Sequence, residues 1–319
     1  MHEQTEKTNK LNPSIQYKSE TTKISDDMNY QIPWKLQEAV RNNKLVLFIG
    51  AGASRSAGLP SWIEIVKKVL SRPGITKSQA YLQALEAEVV EPLFILDALK
   101  PLHQKEIYET FEEHTINPID SDLHKSLGKL SGKFITTNYD KLIEHNTKAK
   151  YIDASSKFHL QKLDSAEEFI LKIHGTSDII DQSVIFTSDY EELYGENSGL
   201  AKFQLQKIIT THTCLFIGFS LTDPYVVELF NRLDDLYQEM STTHFALSTK
   251  NLEHAFVETV ILKSHDDLPA FISQLVSLKE IAKPNISLQS QEVATTDLIP
   301  PPAESNEIKF VIRQDAPPR

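Results

Sequence analysis

A chain of 319 residues with 40% hydrophobic content is long enough for one large α/β domain with tails. Its net charge of −11 argues against a phosphate-backbone binder, and its single cysteine, Cys214, excludes an internal disulfide and a multi-cysteine zinc site. No apolar stretch approaches the ~20 residues of a membrane helix, and the lysine-rich start has no apolar signal segment, so a cytoplasmic protein is expected.

Residues 1–30 are polar with little apolar periodicity and read as a disordered arm. Short β-rich runs follow at 45–49, 134–136, 169–173, 183–186, 213–217, 244–247 and 257–262. Several are continuously apolar, as strands covered on both faces of a parallel sheet must be. Cys214 lies inside one of them, Thr213-Cys214-Leu215-Phe216-Ile217, and reads as a buried strand residue rather than a nucleophile. Helical stretches lie between, at 78–99, 121–130, 201–211 and 224–240. This alternation predicts an α/β fold with a Rossmann-like, doubly wound, mostly parallel sheet over residues 31–280. Residues 62–131 hold no convincing strand and read as a helical insertion. From 281 the chain is a polar, proline-rich tail containing Pro300-Pro301-Pro302 and Pro317-Pro318. Its run at 308–312 alternates well enough to add a strand to a partner, or is simply an end with a few apolar residues.

The strongest local feature is Leu45-Val46-Leu47-Phe48-Ile49-Gly50-Ala51-Gly52-Ala53-Ser54, continuing to Ala57-Gly58-Leu59-Pro60. An apolar strand runs directly into Gly50 and Gly52, where missing side chains would let a diphosphate approach backbone amides at a helix start. Ser54 offers a hydroxyl and Arg55 a cation. Arg55 also stands where the dehydrogenase spacing wants a third glycine, so that fingerprint is incomplete. A tight turn is the alternative.

Three further strands end in polar groups. Phe134-Ile135-Thr136 runs into Thr137-Asn138-Tyr139-Asp140; Phe169-Ile170-Leu171-Lys172-Ile173 ends in His174-Gly175; Leu215-Phe216-Ile217 ends in Gly218-Phe219-Ser220 and then Asp223-Pro224. Each has a local explanation: Asn138 or Asp140 as a cap, His174 satisfying a carbonyl, Gly218 in a turn, and Asp223 capping a helix that opens on proline. Ligands of open α/β sheets collect at such carboxyl ends.

Taken together and in this order, the four endings resemble the sirtuin superfamily over roughly residues 35–280, and in particular the sirtuin-like domains of prokaryotic defence proteins. Deacylating sirtuins carry four zinc-binding cysteines, which one cysteine cannot supply. Their Asp-Phe-Arg continuation after the first loop is Ser61-Trp62-Ile63 here. The resemblance therefore implies an NAD hydrolase without a metal, cleaving NAD to nicotinamide and ADP-ribose as a triggered defence effector.

On the same resemblance, Asn138 holds the ribose hydroxyls or the attacking water, and His174 acts as base. Gly50, Ala51, Gly52, Ser54 and Arg55 hold the diphosphate, Gly218 and Ser220 the adenosine side, and Asp140 orients a side chain or caps a helix. The partners implied are NAD, further copies of the chain, and a separate activator or ATPase, without direct nucleic-acid or membrane contact. A non-catalytic NAD or ADP-ribose sensor and a subunit of a larger ATPase-containing assembly are the alternatives. A deacylase is weakened by the missing zinc module.

Overall fold

The computed structural model describes residues 30–116, 120–195, 199–238 and 242–281. The arm up to 29 and the tail from 282, with its run at 308–312, lie outside the described residues. The strands are β1 (Leu45–Ile49), β2 (Lys133–Thr136), β3 (Tyr151–Asp153), β4 (Phe169–Lys172), β5 (Thr213–Ile217), β6 (His244–Ser248) and β7 (Val257–Ile261). The helices begin with α1 (Trp34–Arg41), α2 (Ala51–Ser54), α3 (Trp62–Leu70), α4 (Ser78–Glu86), α5 (Pro92–Thr115) and α6 (Asp122–Leu130). They continue with α7 (Leu142–Asn146), α8 (Lys157–Lys162), α9 (Thr187–Tyr194), α10 (Leu200–Thr211), α11 (Pro224–Tyr237) and α12 (Leu268–Ile281).

Among the described residues, seven strands form one sheet in the order β3-β4-β2-β1-β5-β6-β7, every neighbouring pair parallel. The expected doubly wound parallel sheet is present. From β1 the chain builds outward to one side, then returns to add β5 on the other. The strand order therefore reverses between β1 and β5, the place where open α/β sheets receive ligands at the carboxyl ends of their strands.

Helices cover both faces, which is why the central strands are apolar at every position. All five residues of β1 are buried. Val46 and Phe48 face a core shared with α10 and α11, while Leu45, Leu47 and Ile49 face one built with α1, α6 and α12. Phe48 meets the rings of Phe216 and Phe219 at centroid distances of 4.8 and 5.0 Å. Burying a ring of this size is worth about 2–3 kcal/mol. A third core forms where α3, α4 and α5 close on Tyr139, Ile185 and Phe186.

Two expectations need correction, and one strand had no counterpart among them. Residues 183–186 are not a strand. The amides of Ile185 and Phe186 donate to the Asp189 carboxylate, at 3.0 and 2.8 Å, which starts α9 and leaves no ladder to join. Residues 78–99 are not one helix. The chain turns through Glu88 at φ 54° and restarts with Pro92 at the first helical position, where its missing N–H costs nothing. The short strand β3 was not anticipated, because three residues at a sheet edge carry almost no periodic signal.

Candidate functional site

Parallel register aligns the four strand endings. Ile49 pairs with Thr136 and with Ile217, and Thr136 pairs with Lys172. Gly50 and Gly218 therefore each lie one residue beyond a paired position, and Asn138 and His174 each lie two beyond. Residues far apart in sequence thus share one rim, above the point where the strand order reverses.

The glycines serve close packing of backbone on backbone. The Gly50 amide donates to the Ile217 carbonyl at 3.0 Å, and the Gly52 amide to the Gly218 carbonyl at 2.8 Å. Gly218 sits at φ 63°, where a Cβ would fall 2.0 Å from the Ala53 nitrogen. A Cβ on Gly50 or Gly52 would lie 2.5 or 2.7 Å from the Gly218 oxygen. The two loops interlock because neither carries side chains at these positions, and both glycine amides are already used within the protein.

Next to this junction lies a buried polar network. The Ser54 hydroxyl donates to Asp140 Oδ2 at 2.9 Å, and Asn138 Nδ2 donates to Ser54 Oγ at 3.0 Å. The other oxygen of Asp140 accepts the Leu142 amide at 3.0 Å, so Asp140 both starts α7 and anchors Ser54. Thr136 fixes the base of the turn: its hydroxyl donates to the Ile49 carbonyl and accepts the Asn138 amide. Such groups are costly to bury unless hydrogen-bonded, and here they satisfy one another.

His174 stands apart from that network, under aromatic cover. Its Nε2 lies 3.0 Å from the Tyr194 hydroxyl, and its ring meets Tyr190 edge-on at 5.0 Å. Tyr225 stacks on Tyr190 at 4.7 Å. Only 3% of His174 is exposed, and burial lowers its pKa from 6.5 to about 4, against the opposing pull of Asp223. The imidazole is neutral at pH 7. Asp223 caps α11 with Oδ1, which accepts the amides of Tyr225 and Val226, and brings Oδ2 to 3.9 Å from His174 Nε2.

The structure thus brings Gly50, Gly52 and Gly218 into one junction and Ser54, Asn138 and Asp140 into one network. Ala51 opens α2 beside them. Two expected contributors point elsewhere. Arg55 pairs with Glu64 at 3.3 Å on the surface, and Ser220 is exposed with its hydroxyl 2.7 Å from that of Thr222. Reading the sequence missed Tyr190, Tyr194, Tyr225 and Lys172. A lone lysine in the apolar run Phe169-Ile170-Leu171-Lys172 was the available signal for the last. Among the described residues no cluster of three or more His, Cys, Asp or Glu side chains could hold a metal ion.

Residues 132–265 match the model of the SIR2-like domain family. The chain is 27% identical over 237 residues to an NAD(+) hydrolase ThsA of Enterococcus faecium, covering 70% of this chain and 47% of that protein. It is 26% identical over 292 residues to defense-associated sirtuin 2 of Bacillus subtilis, covering 88% of this chain and 27% of that one. It therefore spans less than half the length of these relatives. A solved SIR2 homologue–NAD complex aligns with 79% of this chain and 96% of its own, at TM-score 0.42 and 12% identity.

Proposed function

We propose that this chain, whose residues 132–265 match the SIR2-like domain family, binds NAD at the carboxyl ends of β1 and β5 and hydrolyses it at the nicotinamide–ribose bond. The observation that carries this reading is the rim itself: a buried Asn138 held by Ser54, and on the same rim a histidine kept neutral at working pH. Cleavage develops oxocarbenium character at the ribose, and the cationic nicotinamide leaves without a general acid. What the protein must supply is orientation, exclusion of bulk water and one positioned water. Asn138 orients the ribose hydroxyls or that water. Neutral His174 accepts the proton, which an imidazolium could not do.

Ala51, Ser54 and the glycine junction border the diphosphate in this scheme, with Gly218 and Ser220 toward adenosine. Arg55 would join them only by leaving Glu64. Access to His174 requires Tyr190 and Tyr194 of α9 to move, because they cover it in the described conformation, with Tyr225 of α11 stacked on them. That cover fits an enzyme held off until triggered, as continuous NAD loss would be toxic. Release would come from other copies of the chain or from a separate activator or ATPase, within antiphage defence. The site of action is the cytoplasm on this reading. No helix among the described residues is long and apolar enough to cross a membrane.

The test is to incubate the protein with NAD, alone and at high protein concentration, and follow nicotinamide and ADP-ribose by chromatography. Asn138→Ala is expected to lose at least ~100-fold in turnover, as for deletion of one preorganised donor. A variant with near-normal turnover would refute the assignment. The covered His174 also favours a second reading, a sensor that binds NAD without cleaving it. Binding without nicotinamide release under every condition tried would support that reading.

A further inference from the structure

Lys172 is an unusual residue for its position. It lies on β4, whose four residues are all buried, and is paired on one side with Thr136 and on the other with Asp153. Its side chain has 0% exposure. Everything else in Phe169-Ile170-Leu171-Lys172 is apolar, and an apolar side chain would occupy the slot without taking an ammonium out of water.

The ammonium meets three acceptors, as many as it has N–H bonds. It donates to the Tyr139 carbonyl at 3.2 Å, to the Asp140 carbonyl in a short contact, and to Glu144 Oε1 at 3.1 Å. The two carbonyls belong to the residues directly after Asn138. The third acceptor sits on α7, the helix that Asp140 starts. All three contacts therefore hold the turn that aims Asn138 and Asp140 at Ser54.

We propose that Lys172 is the positioning residue of this site: a buried ammonium clamp that fixes the 138–140 turn from beneath and thereby sets the aim of Asn138. It touches neither the glycine junction nor the reacting atoms. The clamp deepens the hydrolase reading and rests on it for its kinetic consequence, but its geometric consequence stands alone. If Asn138 acts chiefly in the transition state, loosening its support lowers kcat and leaves KM nearly unchanged.

The experiment compares wild type, Lys172→Met and Lys172→Ala for nicotinamide release and for the side-chain amide resonance of Asn138, assigned by its loss in Asn138→Ala. Lys172→Met is expected to lower kcat by about 10- to 100-fold, the scale of an ångström of misplacement, with KM within about threefold. Its Asn138 resonance should move. Lys172→Ala should regain turnover in proportion to added propylammonium and not with 1-propanol, because a void-filling role would accept either molecule. Unchanged kcat together with an unmoved resonance overturns the proposal, as does equal rescue by the alcohol. If wild type binds NAD but releases no nicotinamide under every condition tried, high protein concentration included, the sensor reading replaces the hydrolase reading, and the resonance shift still decides whether Lys172 sets Asn138. If Lys172→Met does not fold, the amine-dependent recovery of Lys172→Ala takes its place.

Discussion

The two rims of this sheet are built on opposite terms. At the amino end a half-open cavity of about 320 Å³ is lined by Trp34, Lys35, Glu38, Ala39, Asn42, Lys44, Thr213 and Thr243. Trp34 is 67% exposed, and Lys35 reaches only as far as the Thr243 hydroxyl. The carboxyl rim is distinguished by its chemistry. It concentrates buried, mutually bonded polar groups, three interlocked glycines and a neutral histidine. The difference teaches that empty volume and reactive chemistry are separate properties. Parallel strands turn their carboxyl ends into loops that converge, whereas their amino ends receive chain from helices on both faces.

The largest effect expected from disturbing this contrast is at the glycine junction. Gly218→Ala places a methyl carbon 2.0 Å from the Ala53 nitrogen at a positive φ. Backbone strain alone costs roughly 1–3 kcal/mol, and the clash adds to it. The two loops should part, NAD turnover should fall to background, and Tm should drop by several degrees. A variant with wild-type turnover and Tm would show that the junction is not what holds the carboxyl rim together.

Acid sharpens the comparison at the next level. The unfolded chain protonates His174 near its ordinary 6.5, but the folded chain does so only near 4, and for buried His244 only near 3. Below about pH 6.5 the unfolded state thus binds more protons, so stability falls as pH drops toward 4. The acid limb of kcat/KM should have its midpoint well under 6.5. A midpoint at 6.5 would mean that the working histidine is solvated, and that the covered conformation is not the one that turns over.

The smallest effect should come from the amino rim. Trp34→Ala is expected to leave NAD turnover within about twofold and stability within about 0.5 kcal/mol, as for most exposed positions. A large loss of turnover on this change would relocate function to the open cavity.

Much of this was legible in sequence because its causes are local. Five consecutive apolar residues at 45–49 can only be buried on both faces, and Gly50, Gly52 and Gly218 mark where side chains are not tolerated. Asp223-Pro224 announces a helix start, which the structure bears out. The apolar run at 183–186 misled for an equally physical reason. Val184, Ile185 and Phe186 are buried as their composition demands, but in two different cores, and a carboxylate rather than a neighbouring strand takes their amides.

What sequence alone determined was the alternation of strand and helix, the parallel class of the sheet and the polar residues at its strand ends. The tertiary structure decided which of those residues meet. Register put Asn138 and His174 on one rim, long-range packing placed Tyr190 and Tyr194 against the imidazole with Tyr225 stacked on them, and Arg55 turned to Glu64. The reason lies in range. Periodicity and capping act within a few residues, whereas desolvation and hydrogen-bond partnership depend on chain segments as far apart as Ser54 and Asp140.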